Sequence, residues 1–171
     1  MPSVKSRPFG RGFTLVELMV TIAVMVVVLA VATPSMNQLA ANNQVAGAKS
    51  AFASTIALAR TEAARRGQTV MIQAESGGTT GNEFGKGWSV YVDADGSGAV
   101  NAGDVLLRKF EAPTDRVHLH GSSLLKFQPT GYVVGGATVD YTICRASGSV
   151  NGFKVSVTPS GIADVSAITS C

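Results

Sequence analysis

From Phe13 to Ala32 the chain reads FTLVELMVTIAVMVVVLAVA, twenty residues with one charge, Glu17, and two hydroxyls, Thr14 and Thr21. At about 1.5 Å per residue this run predicts a helix about 30 Å long, the thickness of a bilayer hydrocarbon core. Past Pro34 the pattern stays helical but becomes one-sided. Val45, Ala48, Phe52, Ile56, Ala59 and Ala63 recur in steps of three and four, while Lys49, Arg60, Glu62 and Arg66 fall off that stripe. Glu62 and Arg66 are spaced for an i,i+4 pair, and Gly67 after a cationic turn is a stop signal. Pro34 lacks an amide proton and predicts a bend or local melting between the two patterns.

After Gly67 the texture changes to short β-type runs between turn residues, with strands expected at Thr69–Glu75, Gly87–Asp93, Val105–Phe110, Val117–His120, Leu124–Gln128, Thr138–Arg145 and Phe153–Thr158. Most glycines fall in the breaks, and no internal repeat or coiled-coil heptad is present. The expected class is α+β: a long N-terminal transmembrane and amphipathic helix packed on an antiparallel sheet. The expected boundaries are 1–12 (basic leader), 13–33 (membrane helix), 34–67 (amphipathic helix) and 68–171 (β-rich headpiece).

Charge changes the picture by its position. The formal net charge is +3, but Lys5, Arg7 and Arg11 precede Gly12, and the remainder of the 14 basic residues balances the 11 acidic ones. The excess therefore reads as a cytoplasmic retention signal for the N-terminus rather than a nucleic-acid surface. The two cysteines, Cys144 and Cys171, favour a disulfide in an oxidising compartment, with two unrelated free thiols as the alternative. The tail Ala163–Cys171 is expected to fray without that tie.

An ordinary signal peptide would explain the apolar run and the Ala30-Val31-Ala32 cleavage-like site, and a plain anchor would explain its length. Neither explains Glu17, since an acid inside the apolar run costs about 2.5–3.5 kcal/mol on insertion scales. Gly12-Phe13-Thr14-Leu15-Val16-Glu17-Leu18 resembles the type IV prepilin processing motif. The resemblance implies cleavage by a prepilin peptidase after Gly12 and N-methylation of Phe13. It also implies that Glu17 pairs with the α-amino group of a neighbouring subunit during fibre assembly. Opposite charges inside a bilayer each relieve the other's desolvation.

The likeness narrows further along the chain. Ala59-Arg60-Thr61-Glu62-Ala63-Ala64-Arg65-Arg66-Gly67-Gln68 looks like the helix end of the GspH/FimT group. Gly87–Asp93 with Leu106-Leu107-Arg108 looks like its first hairpin, and Phe127–Gly131 and Tyr141–Cys144 extend the match. That group comprises minor pilins of type IV pili and the H pseudopilin of type II secretion. The implied partners are other minor and major pilins or pseudopilins and an inner-membrane assembly platform. The implied location is the inner membrane, single-pass, with the N-terminus cytoplasmic and the headpiece periplasmic.

Asp93, Asp95, Ser97, Asn101 and Asp104 fall at positions 1, 3, 5, 9 and 12 of a calcium-loop pattern, with Gly98 at position 6. Strand-like flanks, Asp104 in place of a bidentate Glu and the weak Ser97 instead favour a polar hairpin turn. His118 and His120 alternate on one strand, but nearby ligands for zinc are missing from the sequence. The sequence holds neither G-x-S-x-G nor a Walker A or dinucleotide fingerprint, so no enzymatic activity and no organic cofactor are expected. Some FimT-type pilins bind DNA through an arginine-containing motif after the last-strand glycine. Here that place reads Ser160-Gly161-Ile162-Ala163-Asp164, and Ser156–Cys171 carries no Lys or Arg. Nucleic acid is therefore not an expected partner, with Arg108, Lys109 and Arg116 left as isolated cations.

Overall fold

The computed structural model describes residues 12–146 and 152–171, and the side chains of all of these but 31–35. Lys5, Arg7 and Arg11 lie outside the described residues, and so does the side chain of Pro34; the helix runs through position 34 without the local melting expected there. One helix, α1 (Leu15–Arg66), precedes eight strands: β1 (Val70–Ala74), β2 (Trp88–Val92), β3 (Val105–Phe110), β4 (Val117–His120), β5 (Leu124–Phe127), β6 (Val139–Arg145), β7 (Gly152–Val157) and β8 (Ala163–Ile168). Packing divides the chain into two units, Met1–Leu39 and Ala40–Cys171.

In the second unit the apolar stripe of α1 becomes the centre of the core. Phe52, Ile56, Ala59 and Ala63 are fully buried and Val45 nearly so. Thr55 sits among them because its hydroxyl is spent twice: it donates to the Ala51 carbonyl at 2.8 Å and accepts from Trp88 Nε1 at 3.1 Å. The helix stops at Gly67, whose N–H bonds the Ala63 carbonyl at 2.9 Å. Glu62 pairs with Arg66 as the spacing predicts, and with Arg65 as well, each at 2.7 Å.

The strands form two antiparallel four-stranded sheets, ordered β3-β2-β1-β5 and β4-β6-β7-β8, where a single sheet was expected. In the first, Val70 stands opposite both Val92 and Phe127, and Ile72 opposite Val90 and Leu125, giving two buried apolar rows. The second buries Leu119, Tyr141, Ile143, Val155 and Val157. The connection between β1 and β2 joins the sheets: Phe84 N–H donates to the Leu119 carbonyl at 3.2 Å, and Leu119 N–H donates to Asn82 Oδ1 at 2.9 Å. Phe52 of the helix, Phe84 of this connection, Trp88 and Tyr141 meet edge-to-face, with centroids 4.8–6.1 Å apart.

All seven expected strands form, with ends within one residue of the expected ones. The eighth strand was not expected: most of the tail Ala163–Cys171, expected to need its covalent tie, is also held as β8, paired with β7 from Val157↔Ala163 to Gly152↔Ile168.

Candidate functional site

The N-terminal segment is built around its first turn. Gly12 and Phe13 precede the helix and are exposed, Phe13 at 76%. Thr14 caps the helix: its Oγ1 accepts the Glu17 N–H at 3.2 Å, and its carbonyl accepts the Leu18 N–H at 3.2 Å. Thr14 and Glu17 thus have capping-box spacing, with the carboxylate at the positive end of the helix dipole. The sequence carries the T-x-x-E signal of this cap, which the charge of Glu17 overshadows. The Thr21 hydroxyl donates to the Leu18 carbonyl at 2.8 Å, so neither hydroxyl of the run asks for an outside partner.

Every large hydrophobic residue from Leu15 to Leu29 is at least 55% exposed, on all sides of the helix. Among the described residues no helix is long and apolar enough to cross a membrane. The apolar run enters the 31–35 stretch, and its fully described part, Leu15–Ala30, spans about 24 Å at 1.5 Å per residue, short of a bilayer core.

In the headpiece, Cys144 of β6 is bonded to Cys171, with the two Cα atoms 6.0 Å apart. Strand β7 lies between β6 and β8, so the bond straps the end of the chain across it. The strap crosses at Gly152, where a Cβ would stand 2.5 Å from Cys171 Sγ, 2.7 Å from the Ile143 carbonyl oxygen and 3.0 Å from Cys144 Sγ. Only glycine leaves room there.

The stretch Asp93–Asp104 is the β2–β3 connection. Pairing of Val92 with Val105 brings its two terminal aspartates together. Asp93, Asp95 and Asp104 each offer a carboxylate oxygen within 4.8 Å of the others. Asp93 is buried; its Oδ2 accepts the Gly98 N–H at 3.0 Å, and its Oδ1 has no hydrogen-bond partner. Asp104 accepts from the Ala94 and Asn101 N–H groups at 3.2 and 2.8 Å. The Ser97 N–H and hydroxyl, with the Asn101 amide, hold the Asp95 carboxyl at about 2.

His118 and His120 join no group of three metal-ligating side chains among the described residues. His120 Nδ1 instead meets Glu83 Oε2 at 2.8 Å. Glu83 also accepts the Gly81 and Gly121 N–H groups at 2.9 and 3.2 Å. Burial alone would raise the Glu83 carboxyl, but these donors outweigh it and hold the group at about 2 against an ordinary value near 4.5. Of the isolated cations, Arg108 lies 4.8 Å from the Phe110 ring centroid, Lys109 pairs with Glu75 at 3.5 Å, and Arg116 is exposed. A cation that sequence reasoning missed at the β7–β8 turn is Arg60. A Cβ on Gly161 would stand 3.0 Å from its Cδ and 2.2 Å from the Gly131 carbonyl oxygen, so the helix arginine lies against that turn.

The model of the type II transport protein GspH family matches residues 48–161, and the prokaryotic N-terminal methylation motif matches residues 10–33. No curated protein matches the chain. Among solved structures, the type IV minor pilin FimU of Pseudomonas aeruginosa is similar at 22% identity and a TM-score of 0.61, over 76% of this chain and 96% of that one. A second crystal form of FimU gives 0.53 at 22% identity, over 78% and 98%. The minor pseudopilin EpsH of the Vibrio cholerae type 2 secretion system gives 0.53 at 11% identity, over 72% and 97%. At these identities the likeness is one of fold, an N-terminal helix on antiparallel sheets. The family match covers most of the headpiece and the methylation motif covers the exposed apolar helix, so the chain belongs to the GspH family of pilin-like proteins.

Proposed function

We propose that the chain is a minor pilin or pseudopilin, a structural subunit of a type IV pilus or a type II secretion pseudopilus. The observation that carries this reading is the stretch Leu15–Leu29 of α1, whose large hydrophobic residues lie on every side and are all exposed, with a single acid in its first turn. Such a surface needs an apolar surrounding along its whole length, first lipid and then the helices of neighbouring subunits. Prepilin peptidase cuts between Gly12 and Phe13, and Phe13 becomes the methylated N-terminus. The full apolar run from Phe13 crosses the inner membrane with its N-terminus cytoplasmic and the headpiece periplasmic. Intact-mass measurement on membrane material should show loss of residues 1–12 and one added methyl group. A mature chain beginning at Thr33 would establish an ordinary signal peptide instead.

Glu17 has two roles to separate, a helix cap and a charge partner for the next subunit's α-amino group. Glu17→Gln keeps an acceptor suited to the capping box and removes the charge, whereas Glu17→Ala removes both. If pairing matters, both variants insert but lose several-fold in co-purification with other pilins. Wild-type recovery of Glu17→Gln would reduce Glu17 to a cap. The alternative, a DNA-uptake pilin, is supported by one cation at the β7–β8 turn, Arg60. A gel shift with the purified protein, abolished by Arg60→Ala, would favour it.

A further inference from the structure

The β2–β3 connection holds a buried carboxylate that its fold leaves half unpartnered. A polar hairpin turn explains its glycines and its internal hydrogen bonds, but it does not explain Asp93. That side chain is 6% exposed, and its Oδ1 is buried with no hydrogen-bond donor. A buried carboxylate oxygen left unpartnered is costly, and the usual remedies are a donor or a cation. Among the described residues none of the ion pairs involves Asp93, Asp95 or Asp104. The nearby cation, Lys126, donates to the Gly98 carbonyl at 3.0 Å instead.

The other oxygens converge. The Asn101 side-chain NH2 gathers Asp95 Oδ2 at 2.9 Å, Ser97 Oγ at 2.8 Å and the Ala99 carbonyl at 3.3 Å. Three oxygens from alternate residues face one donor that has only two hydrogens. Nitrogen and oxygen of such an amide exchange by a half-turn of the side chain, which would put Asn101 Oδ1 among them at the expense of its bond from the Gly103 N–H. The loop then offers three carboxylates, a hydroxyl, a backbone carbonyl and an amide oxygen, a hard-cation set on a flexible frame.

We infer that the Asp93–Asp104 connection is a divalent-cation site selective for calcium, bound by Asp93, Asp95, Asp104, Ser97 Oγ, the Ala99 carbonyl and Asn101 Oδ1. The strands supply what helices supply in other calcium loops: the Val92–Val105 pair fixes the ends of the loop and sets Asp93 beside Asp104. A hydroxyl ligand, the short Asp104 side chain and the Lys126 charge all weaken the site. It belongs with extracellular modules that bind at about 10⁻⁴–10⁻³ M. Magnesium binds less well, because it dehydrates reluctantly and demands a stricter octahedron than this loop imposes.

The test uses the full chain in detergent, stripped with EGTA and titrated calorimetrically with calcium chloride. One saturable site is expected in that range, with magnesium at least tenfold weaker and a melting temperature several degrees higher in about 10 mM calcium. Asp95→Asn, at an exposed side chain, and Asp104→Asn, at a half-buried one, should each lose more than tenfold in calcium affinity while still unfolding cooperatively in EGTA. Asp93→Asn should melt no lower than wild type in EGTA and lower than wild type in calcium, an inversion that a purely structural aspartate would not give. Absence of saturable heat up to 10 mM calcium, or wild-type affinity in both Asp95→Asn and Asp104→Asn, overturns the assignment.

Discussion

Two stretches of the single helix α1 are both rich in apolar residues and have opposite fates. Between Leu15 and Leu29 the hydrophobic residues point in every direction, and all the large ones are more than half exposed. Between Ala41 and Ala63 they fall on one stripe, and that stripe is buried while Glu62, Arg65 and Arg66 remain on the outer side. Lys49, beside the stripe, lays its ammonium 4.6 Å from the Phe153 ring centroid. Backbone conformation does not distinguish the two stretches. The distribution of apolar positions around the axis does: a stripe can be satisfied by one sheet, whereas a full circumference must find its apolar environment outside the headpiece.

The comparison breaks most sharply at Phe52. Its ring is fully buried and meets Phe84, Trp88 and Tyr141 at once. Phe52→Ala should cost about 3–5 kcal/mol and lower the headpiece melting temperature by roughly 10–20 °C. Leu18→Ala or Val24→Ala, in the other stretch, should leave that transition within about 0.5 kcal/mol of wild type. Thermal unfolding followed by near-ultraviolet circular dichroism, which reports the aromatic cluster, measures both. Equal losses would mean that the exposed stretch is part of the headpiece core.

The strap of Cys144 and Cys171 comes next. Reduction or Cys171→Ser should lower the same transition by roughly 5–15 °C, reflecting about 2–4 kcal/mol of lost constraint. Since β8 is held to β7 by its own ladder, the strand should survive and only its end should loosen, seen as faster amide exchange near Ile168 than near Ala163. Recovery in the membrane fraction should not change, because that depends on the other stretch of α1. Two alkylatable thiols in protein folded in the periplasm would contradict the strap.

What was legible in the sequence follows the same division. The stripe Val45–Ala63, the seven strands and the disulfide were readable because each leaves a local signal: helical period, alternation between turn residues, or a thiol pair. Strand β8, ADVSAI, leaves none. Its middle four residues are all exposed, so no alternation marks it, and it exists because β7 offers an unpaired edge. The division into two sheets was equally hidden, since it is decided by which strands meet and not by any single strand's composition. At the first turn a local signal exists but is overshadowed: the charge of Glu17 dominates over its three-residue spacing from Thr14. Arg60 was placed correctly off the stripe, but only the fold puts it against the Gly161 turn.

A smaller effect lies in the headpiece and depends on acidity. Glu83 ties the β1–β2 connection to His120 of β4, and its donors keep its carboxyl at about 2 in the folded state, below the ordinary 4.5. The sign follows from that direction: a depressed carboxyl contributes stability that is fully present above about pH 4.5 and is lost as pH falls toward 2. Glu83→Gln should therefore melt below wild type at neutral pH, by about 1–2 kcal/mol, with the gap closing through that window. The property read is headpiece melting against pH; a gap that persists unchanged at pH 2 would assign the loss to packing.

The smallest expected effect lies inside the best-packed cluster. Tyr141 is fully buried, its ring packs edge-to-face on Phe52 and Phe84, and its hydroxyl has no hydrogen-bond partner. Burial pushes its phenol upward, so the group is neutral at physiological pH. Phe52→Ala and Tyr141→Phe thus act on the same contact in opposite ways, one removing the ring and the other removing only an oxygen that bonds nothing. Tyr141→Phe gives up no hydrogen bond and sheds the cost of a desolvated hydroxyl, against a small void where the oxygen was. The two terms nearly cancel, and the variant should melt within about 1 kcal/mol of wild type, on the stable side if the void closes. A loss as large as 2–3 kcal/mol in the same unfolding measurement would show that the hydroxyl does have a partner, such as a buried water between the helix and the second sheet.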